Sequence, residues 1–275
     1  MDERGASIRA APSGGPLAAV RRTYSLPVEM LILAGVVLVW QLARVPFEAS
    51  LDDAVAASRD LISAERSLGV YVEPDVVRWL YARPDLLAAV NWFYSHMDET
   101  LAFGLLAALR LVDDLRFAAI RTAFALTHVP AILVVALYPS APPRWVPGFP
   151  HASAPADFTG DLRNSTAAAV SLHVGVPVLI AAAAVWVRPR SPLAWSTWLY
   201  PVIVLAVVVG TANHLFADAV IGAACAALGI AGARLVHGAV PRGRAGATPP
   251  VIAAAGLVAA GAALLVNDLV LRLAG

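Results

Sequence analysis

Runs of about 20 apolar residues recur along this chain, and no other feature limits its fold so tightly. One helix needs about that many apolar residues to cross a bilayer core. Such runs lie near 26–46, 86–109, 118–138, 166–187, 194–213, 215–236 and 251–271. They predict an all-α, polytopic transmembrane helix bundle of six to seven spans. Composition agrees: 59% of residues are hydrophobic and 14% are charged, where a soluble domain carries about a quarter charged residues. A soluble protein this apolar could not cover its surface. The net charge of +1 argues against nucleic acid as a partner. Cys225 is the single cysteine, so no intramolecular disulfide can form.

The basic residues then orient the bundle. All 20 of them are Arg. Arg4, Arg9, Arg21 and Arg22 precede the first run, and Arg110, Arg116 and Arg121 lie between the second and third. Arg188 and Arg190 follow the fourth, and Arg234, Arg242 and Arg244 follow the sixth. Positive residues stay in the cytoplasm, so these ends face inward, as does the N-terminus. Residues 1–23, rich in Gly, Pro, Ala and Ser, predict a disordered cytoplasmic tail. Residues 24–275 are then a single transmembrane domain. Arg21-Arg22 reads as a positive-inside anchor rather than a twin-Arg export signal, because further spans follow. Only Asn213-His214 separates the fifth and sixth runs, which predicts a tight hairpin.

Between the first two runs the pattern changes. Over 50–68, Leu51, Val55, Leu61, Ile62 and Leu68 share a helical face, with Asp52, Asp53, Arg59, Asp60, Glu65 and Arg66 elsewhere. This predicts an amphipathic helix on the outer membrane surface. Tyr71, Trp79, Tyr81, Trp92 and Tyr94 would form an aromatic belt. The Pro-rich segment 139–165 predicts either an ordered, non-helical outer lid or a flexible loop.

Three polar clusters sit at the outer ends of the runs, where burial is costly. Arg144 follows the stiff Pro142-Pro143 pair, and its guanidinium can fork onto phosphate; the alternative is an interfacial, snorkelling Arg. Ser171-Leu172-His173 lies about one turn into the fourth run, where helical N–H groups favour an anion. Its alternative is a hydrogen bond between helices and a buried neutral His. His214 and Asp218, at i and i+4, share one helical face. There the carboxylate can hold one ring nitrogen and leave the other as nucleophile or base; the alternative is a structural pair. Jointly, two imidazoles, a carboxylate, a hydroxyl and a guanidinium make a phosphoryl-transfer constellation that needs no metal.

These clusters, in this order, resemble the three signature motifs of the PAP2 (type 2 phosphatidic acid phosphatase) superfamily. Pro142-Pro143-Arg144, Ser171-Leu172-His173 and Thr211-Ala212-Asn213-His214 most resemble its inositol-phosphorylceramide-synthase-like branch. The resemblance covers about 90–240, and Glu65-Arg66-Ser67-Leu68-Gly69 shares its flavour. It implies that His214 is the nucleophile forming a phosphohistidine, with Asp218 orienting it. His173 would be the general acid and then the base. Arg144 and Ser171 would bind phosphate, and no cofactor would be needed. Leu137 and Val208 stand where the family carries Lys and Arg, so two cationic phosphate ligands are missing. Arg163 is the candidate replacement. Leu172 replaces the usual Gly between Ser and His. His96 fits the branch and is assigned to the acceptor or headgroup pocket; its alternative, with Asp98 and Glu99, is hydrogen bonding between helices. Asp113-Asp114 reads as a solvated cytoplasmic turn.

The expected function is an integral membrane phosphohydrolase or phosphotransferase. It would act on lipid phosphate or a phospholipid headgroup at the extracytoplasmic face of the cell membrane. Membrane lipids would be its partners. Two alternatives stay open: a headgroup transferase of the inositol-phosphate type, and a non-catalytic lipid-binding membrane protein.

Overall fold

The computed structural model describes residues 16–152 and 166–241, without the side chains of 16–18 and 96–99. Within them the chain is helical: α1 (Pro16–Arg21), α2 (Leu26–Ala43), α3 (Leu51–Ser67), α4 (Glu73–Tyr81), α5 (Pro84–Trp92), α6 (Asp98–Val112), α7 (Asp114–Leu137), α8 (Leu172–Val187), α9 (Pro192–Ser196), α10 (Leu199–Gly210) and α11 (Phe216–His237). Among the described residues, extended pairing is limited to one isolated parallel bridge, Ser140 with Ala167. Pro stands in the first turn of α2, α4, α5 and α9. There its missing N–H costs nothing and its fixed φ starts a helix. The Pro residues of the sequence are therefore helix starts as well as breaks.

Four segments are long and apolar enough to cross a membrane: Leu26–Phe47, Asp114–Leu137, Pro192–Gly210 and Phe216–His237. Thr100–Val112 and Leu172–Val187 are apolar but shorter. The expected seventh run, 251–271, lies outside the described residues, as does most of the expected tail. The end of that tail is ordered: α1 is helical, and Arg21 donates to Val236 O from Nε at 2.9 Å. The second run is not one straight span. It divides into α5, a π turn at Phe93–Met97, and α6. The fourth run becomes helical only at Leu172.

α8 is the centre of the bundle, packed by α11, α10, α6 and α7. A helix that is apolar all round belongs inside, and Val174, Leu179, Ile180, Ala181, Ala183 and Ala184 of α8 are all buried. α11 lies along α7 and α8 and meets α10 only slightly. The expected hairpin is therefore a reversal whose two arms stand on different sides of α8. Glycines make these approaches possible. A Cβ on Gly222 would lie 2.8 Å from the Ser171 carbonyl carbon, and one on Gly175 would meet Gly222 O at 2.5 Å.

The predicted inward-facing Arg residues gather at one end of the bundle. Arg121 forms a buried ion pair with Glu29, 2.7 Å from Oε2, and donates to Val20 O at 2.6 Å. Arg110 donates to Tyr24 O, and Arg116 to Trp186 O. Asp113 is not a solvated turn. It is buried and caps α7 by accepting from Arg116 N at 3.1 Å, satisfying an orphan donor.

The predicted amphipathic helix is α3, capped by Ser50, whose Oγ accepts from Asp53 N at 3.2 Å. Its buried face differs from the expected one. Ala54, Val55, Ser58, Ile62 and Glu65 are buried, while Leu51 and Leu68 are exposed. This face packs on the chain itself: Ser58 Oγ donates to Ala141 O at 2.7 Å, and Tyr138 Oη to Ala57 O at 2.8 Å. The expected aromatic belt also divides. Trp79 and Trp92 are exposed. Tyr71 and Tyr81 pack against the apolar cluster beneath α3 and α4, and Tyr94 turns toward His173.

Candidate active site

The site lies at the end of the bundle opposite the Arg cluster, where α8 and α11 begin and α7 has just ended. Three loops meet there. Ser140 N donates to Thr166 O at 2.8 Å, and Ala168 N donates to Ser140 O at 3.1 Å. These bonds tie the segment after α7 to the one before α8. Arg144 N donates to Ala212 O at 3.1 Å and ties the same segment to the turn before α11.

That turn is tight. Asn213 N and His214 N both donate to Val208 O, at 3.0 and 3.1 Å. Ala212 takes φ +54°, a left-handed conformation that costs a non-glycine residue about 1–2 kcal/mol. Close surroundings hold it there, since Ala212 is 1% exposed. The Arg144 guanidinium donates to Asn213 Oδ1, and Asn213 Nδ2 donates to Thr211 Oγ1 at 2.6 Å. The first and third motifs are thus joined by side chain as well as backbone.

His214 has a defined orientation. Its Nδ1 lies 3.0 Å from Ala168 O and 3.4 Å from Asp218 Oδ2. Both oxygens are acceptors, so Nδ1 carries the hydrogen, and Nε2 of the neutral ring keeps its lone pair. The ring is 8% exposed and Asp218 is 1% exposed. Asp218 Oδ2 also accepts from Leu215 N at 2.8 Å, so the carboxylate cannot swing away from the ring.

His173 faces this group from the first turn of α8, its ring centroid 6.0 Å from that of His214. Ser171 is the N-cap residue rather than one turn inside the helix. Its N–H donates to Asp218 O at 3.0 Å, locking α8 to α11. Its hydroxyl is buried and has no hydrogen-bond partner among the described residues. A buried hydroxyl is costly to leave unpaired. Arg144 is half-buried beside the same turn, with its guanidinium carbon 5.6 Å from the Trp145 ring centre. Burial lowers its pKa from the ordinary guanidinium value.

The structure thus brings together Arg144, Ser171, His173, His214 and Asp218. Arg163 lies outside the described residues. His96 falls on the π turn Phe93–Met97, and its side chain is outside them too. Leu137 is 83% exposed and Val208 is fully buried in the core, so neither places a side chain in a polar pocket. Among the described residues, no group of three His, Cys, Asp or Glu side chains could hold a metal ion.

Three further residues belong to this constellation and escape sequence reasoning. Tyr94 Oη lies 3.3 Å from His173 Nε2. Glu73 Oε1 accepts from Phe216 N at 2.8 Å, and Glu65 Oε1 accepts from Ala217 N at 2.6 Å. With Asp218 on Leu215 N, three carboxylates take three successive N–H groups at the start of α11. The first N–H groups of α11 are consequently already occupied by carboxyl oxygens. Glu65 and Glu73 are 2% and 0% exposed. Burial, reinforced by Glu73 and Asp218 nearby, pushes the Glu65 carboxyl up to about 8.

A family model described as the PAP2 superfamily matches residues 59–232. Neither the curated proteins nor the solved structures give a match. The matched span begins inside α3 and ends inside α11, so it contains every residue of the constellation.

Proposed function

We propose, from the premise that this chain belongs to the PAP2 superfamily, that it is a membrane phosphohydrolase or phosphotransferase. It acts on a lipid phosphate or phospholipid headgroup through a phosphohistidine. The observation that carries this reading is the facing pair of imidazoles, 6.0 Å apart, with His214 Nδ1 held by two acceptors.

In this reading, Nε2 of His214 attacks phosphorus. The N–P bond forms as the bond from phosphorus to the lipid oxygen breaks. His173 supplies a proton to the leaving oxygen. The positive charge that develops on the His214 ring is stabilised by Asp218 and the Ala168 carbonyl. Water or an alcohol then attacks the phosphohistidine, gives its proton to His173, and releases His214. Arg144 and the Ser171 hydroxyl bind the phosphate oxygens, and the unpaired state of that hydroxyl suits it to a ligand. The positive end of α8 lies on the same side, whereas carboxylates already occupy that of α11. Arg163 and His96 are the proposed additional phosphate and acceptor-pocket residues.

The Arg residues at the other end support an extracytoplasmic site in the cell membrane, since positive residues stay in the cytoplasm. Water and an alcohol acceptor differ only in what reaches the intermediate. The Pro-Pro-Arg and Ser-Leu-His forms of the motifs favour transfer to an alcohol, of the inositol-phosphate type.

The test is turnover by purified protein in nanodiscs, using labelled phosphatidic acid, prenyl phosphate and phosphatidylinositol, with and without lipid alcohols. Released phosphate marks hydrolysis, and a new labelled lipid marks transfer. His214→Ala is expected to lower kcat by about 10³-fold or more, as loss of a nucleophile does. Wild-type turnover in that variant would refute the mechanism and favour a lipid-binding role. In the same study, a cysteine at position 144 should react with an impermeant thiol reagent on intact cells. Reaction only after permeabilisation would refute the sidedness.

A further inference from the structure

Glu65 and Glu73 present a chemical problem that the proposed mechanism leaves unused. They come from different helices, α3 and α4, and both side chains are buried. One oxygen of each accepts from a backbone N–H of α11. The other oxygen of each, Oε2, is buried and has no donor among the described residues. The two carboxyls take adjacent N–H groups, of Phe216 and Ala217, and so lie side by side. Two buried carboxylates in contact repel, whereas a proton between them satisfies both leftover oxygens. Each carboxyl then keeps its backbone N–H.

We propose that Glu65 and Glu73 are positioning residues of the catalytic centre, a carboxyl pair sharing one proton that fixes the first turn of α11 and thereby His214 and Asp218. The pair acts through backbone rather than by touching the phosphate. His214, Leu215, Phe216, Ala217 and Asp218 are consecutive, so the N–H groups held by the three carboxylates set where the His214 ring stands. The pair also docks α3 and α4 onto the catalytic turn. That gives the segment between the first two membrane runs a role in catalysis, and this part of the inference rests on the phosphotransfer reading above.

The groups facing the pair set its pH dependence. Asp218 faces it from α11 with His214 just behind. Tyr71 and Arg66 lie beyond its α3 side, and Tyr138 senses Asp218. The backbone N–H groups and a shared proton are then the pair's direct means of neutralisation. The Glu65 carboxyl is raised from 4.5 to about 8. A raised pKa means that the stabilisation is complete below the unfolded value and is lost as pH rises through the folded one. The pair's contribution is therefore full below about pH 4.5, falls steadily toward pH 8 and levels off above it.

The experiment compares Glu65→Gln, Glu65→Ala and Glu73→Ala with wild type in nanodiscs. Two readouts are followed between pH 6 and 9.5: turnover, and hydrogen-exchange protection of the Phe216 and Ala217 amides. An amide side chain can accept from Ala217 N and donate to Glu73 without titrating. Glu65→Gln should keep kcat at pH 7 within about 3-fold of wild type, while the alanine variants lose about 10-fold or more with KM within about 2-fold. Protection in wild type, corrected for intrinsic exchange, should fall from pH 6 to about 8 and level off above it, and Glu65→Gln should lack that fall. Alanine variants with wild-type kcat and protection would overturn the inference. So would a Glu65→Gln variant that keeps the fall in protection between pH 6 and 8, a result readable even if the alanine variants do not fold. Exchange protection needs no turnover, so failure of the phosphotransfer reading and failure of the carboxyl pair give separate results.

Discussion

Replacing Gly222 by Ala adds one methyl group at the crossing of α8 and α11, and its effect can be worked out from the contacts. The new Cβ would lie 2.8 Å from the Ser171 carbonyl carbon and closer still to its oxygen. Ordinary carbon contacts lie at about 3.5–4.0 Å, so the two helices must part by about 1 Å. Both obstructing atoms are backbone, so no side-chain rotation relieves them. Overpacking of this kind costs about 1–3 kcal/mol. The functional cost is larger in proportion, because Ser171 and His173 ride on one helix while His214 and Asp218 are fixed to the other. A displacement of about 1 Å between reacting groups costs about 10²-fold in rate. Two other glycines calibrate the result. Gly229→Ala would bring a Cβ to 2.6 Å from Ala123 O, near the middle of α11 and away from the site. It should lower thermal stability while the folded protein keeps most of its kcat. Gly35→Ala in α2 meets nothing within 4 Å and should stabilise by about 0.5–1 kcal/mol through backbone entropy. Thermal melting and turnover, measured on all three variants in the same detergent, form the assay. A Gly222→Ala protein within about 2-fold of wild-type kcat and with unchanged Tm would refute the claim that this crossing sets the catalytic geometry.

Two other substitutions probe opposite ends of the molecule. Tyr94→Phe removes the hydroxyl 3.3 Å from His173 Nε2. A net hydrogen bond is worth about 0.5–1.5 kcal/mol, so kcat should fall by about 2- to 10-fold with the fold intact; unchanged or raised kcat would show that Tyr94 does not assist His173. Arg121→Ala leaves Glu29 buried without its cation, and breaking a buried pair costs about 3–5 kcal/mol. Melting should show a large loss of stability, with KM of the surviving protein unchanged; a Tm within about 1 °C of wild type would refute the pair's contribution to stability.

How much of this was legible beforehand follows from the kind of interaction involved. His214 and Asp218 could be paired from sequence because i, i+4 spacing on a helix brings side chains together whatever else the chain does. Arg144, Ser171 and His173 could be joined to them because spans of known length put alternate run ends on one face. Glu65 and Glu73 could not. In a helix with charged and apolar faces, an acidic residue reads as solvated, and the expected burial of Leu51 and Leu68 followed from the same pattern. Only docking shows that Glu65 lies on the buried side. Tyr94 was misplaced for the same reason: an aromatic residue near a membrane surface suits a belt as well as a site.

By itself, then, the sequence determined the helical membrane class, the gathering of polar motifs at one end of the bundle and the local His214–Asp218 pair. Each follows from periodicity, run length or spacing along one helix. Tertiary structure decided which acceptors hold His214 Nδ1, which carboxylates cap α11, and that α8 forms the centre, with α10 and α11 packed on it more than on each other. Ala168 meets His214 across 46 positions of chain, and Glu65 meets Ala217 across 152. Such contacts depend on how helices cross, and the crossing here is set by how closely backbones approach at Gly175 and Gly222. Periodicity tells which face of a helix is apolar, but not which other helix, loop or helix end that face will meet.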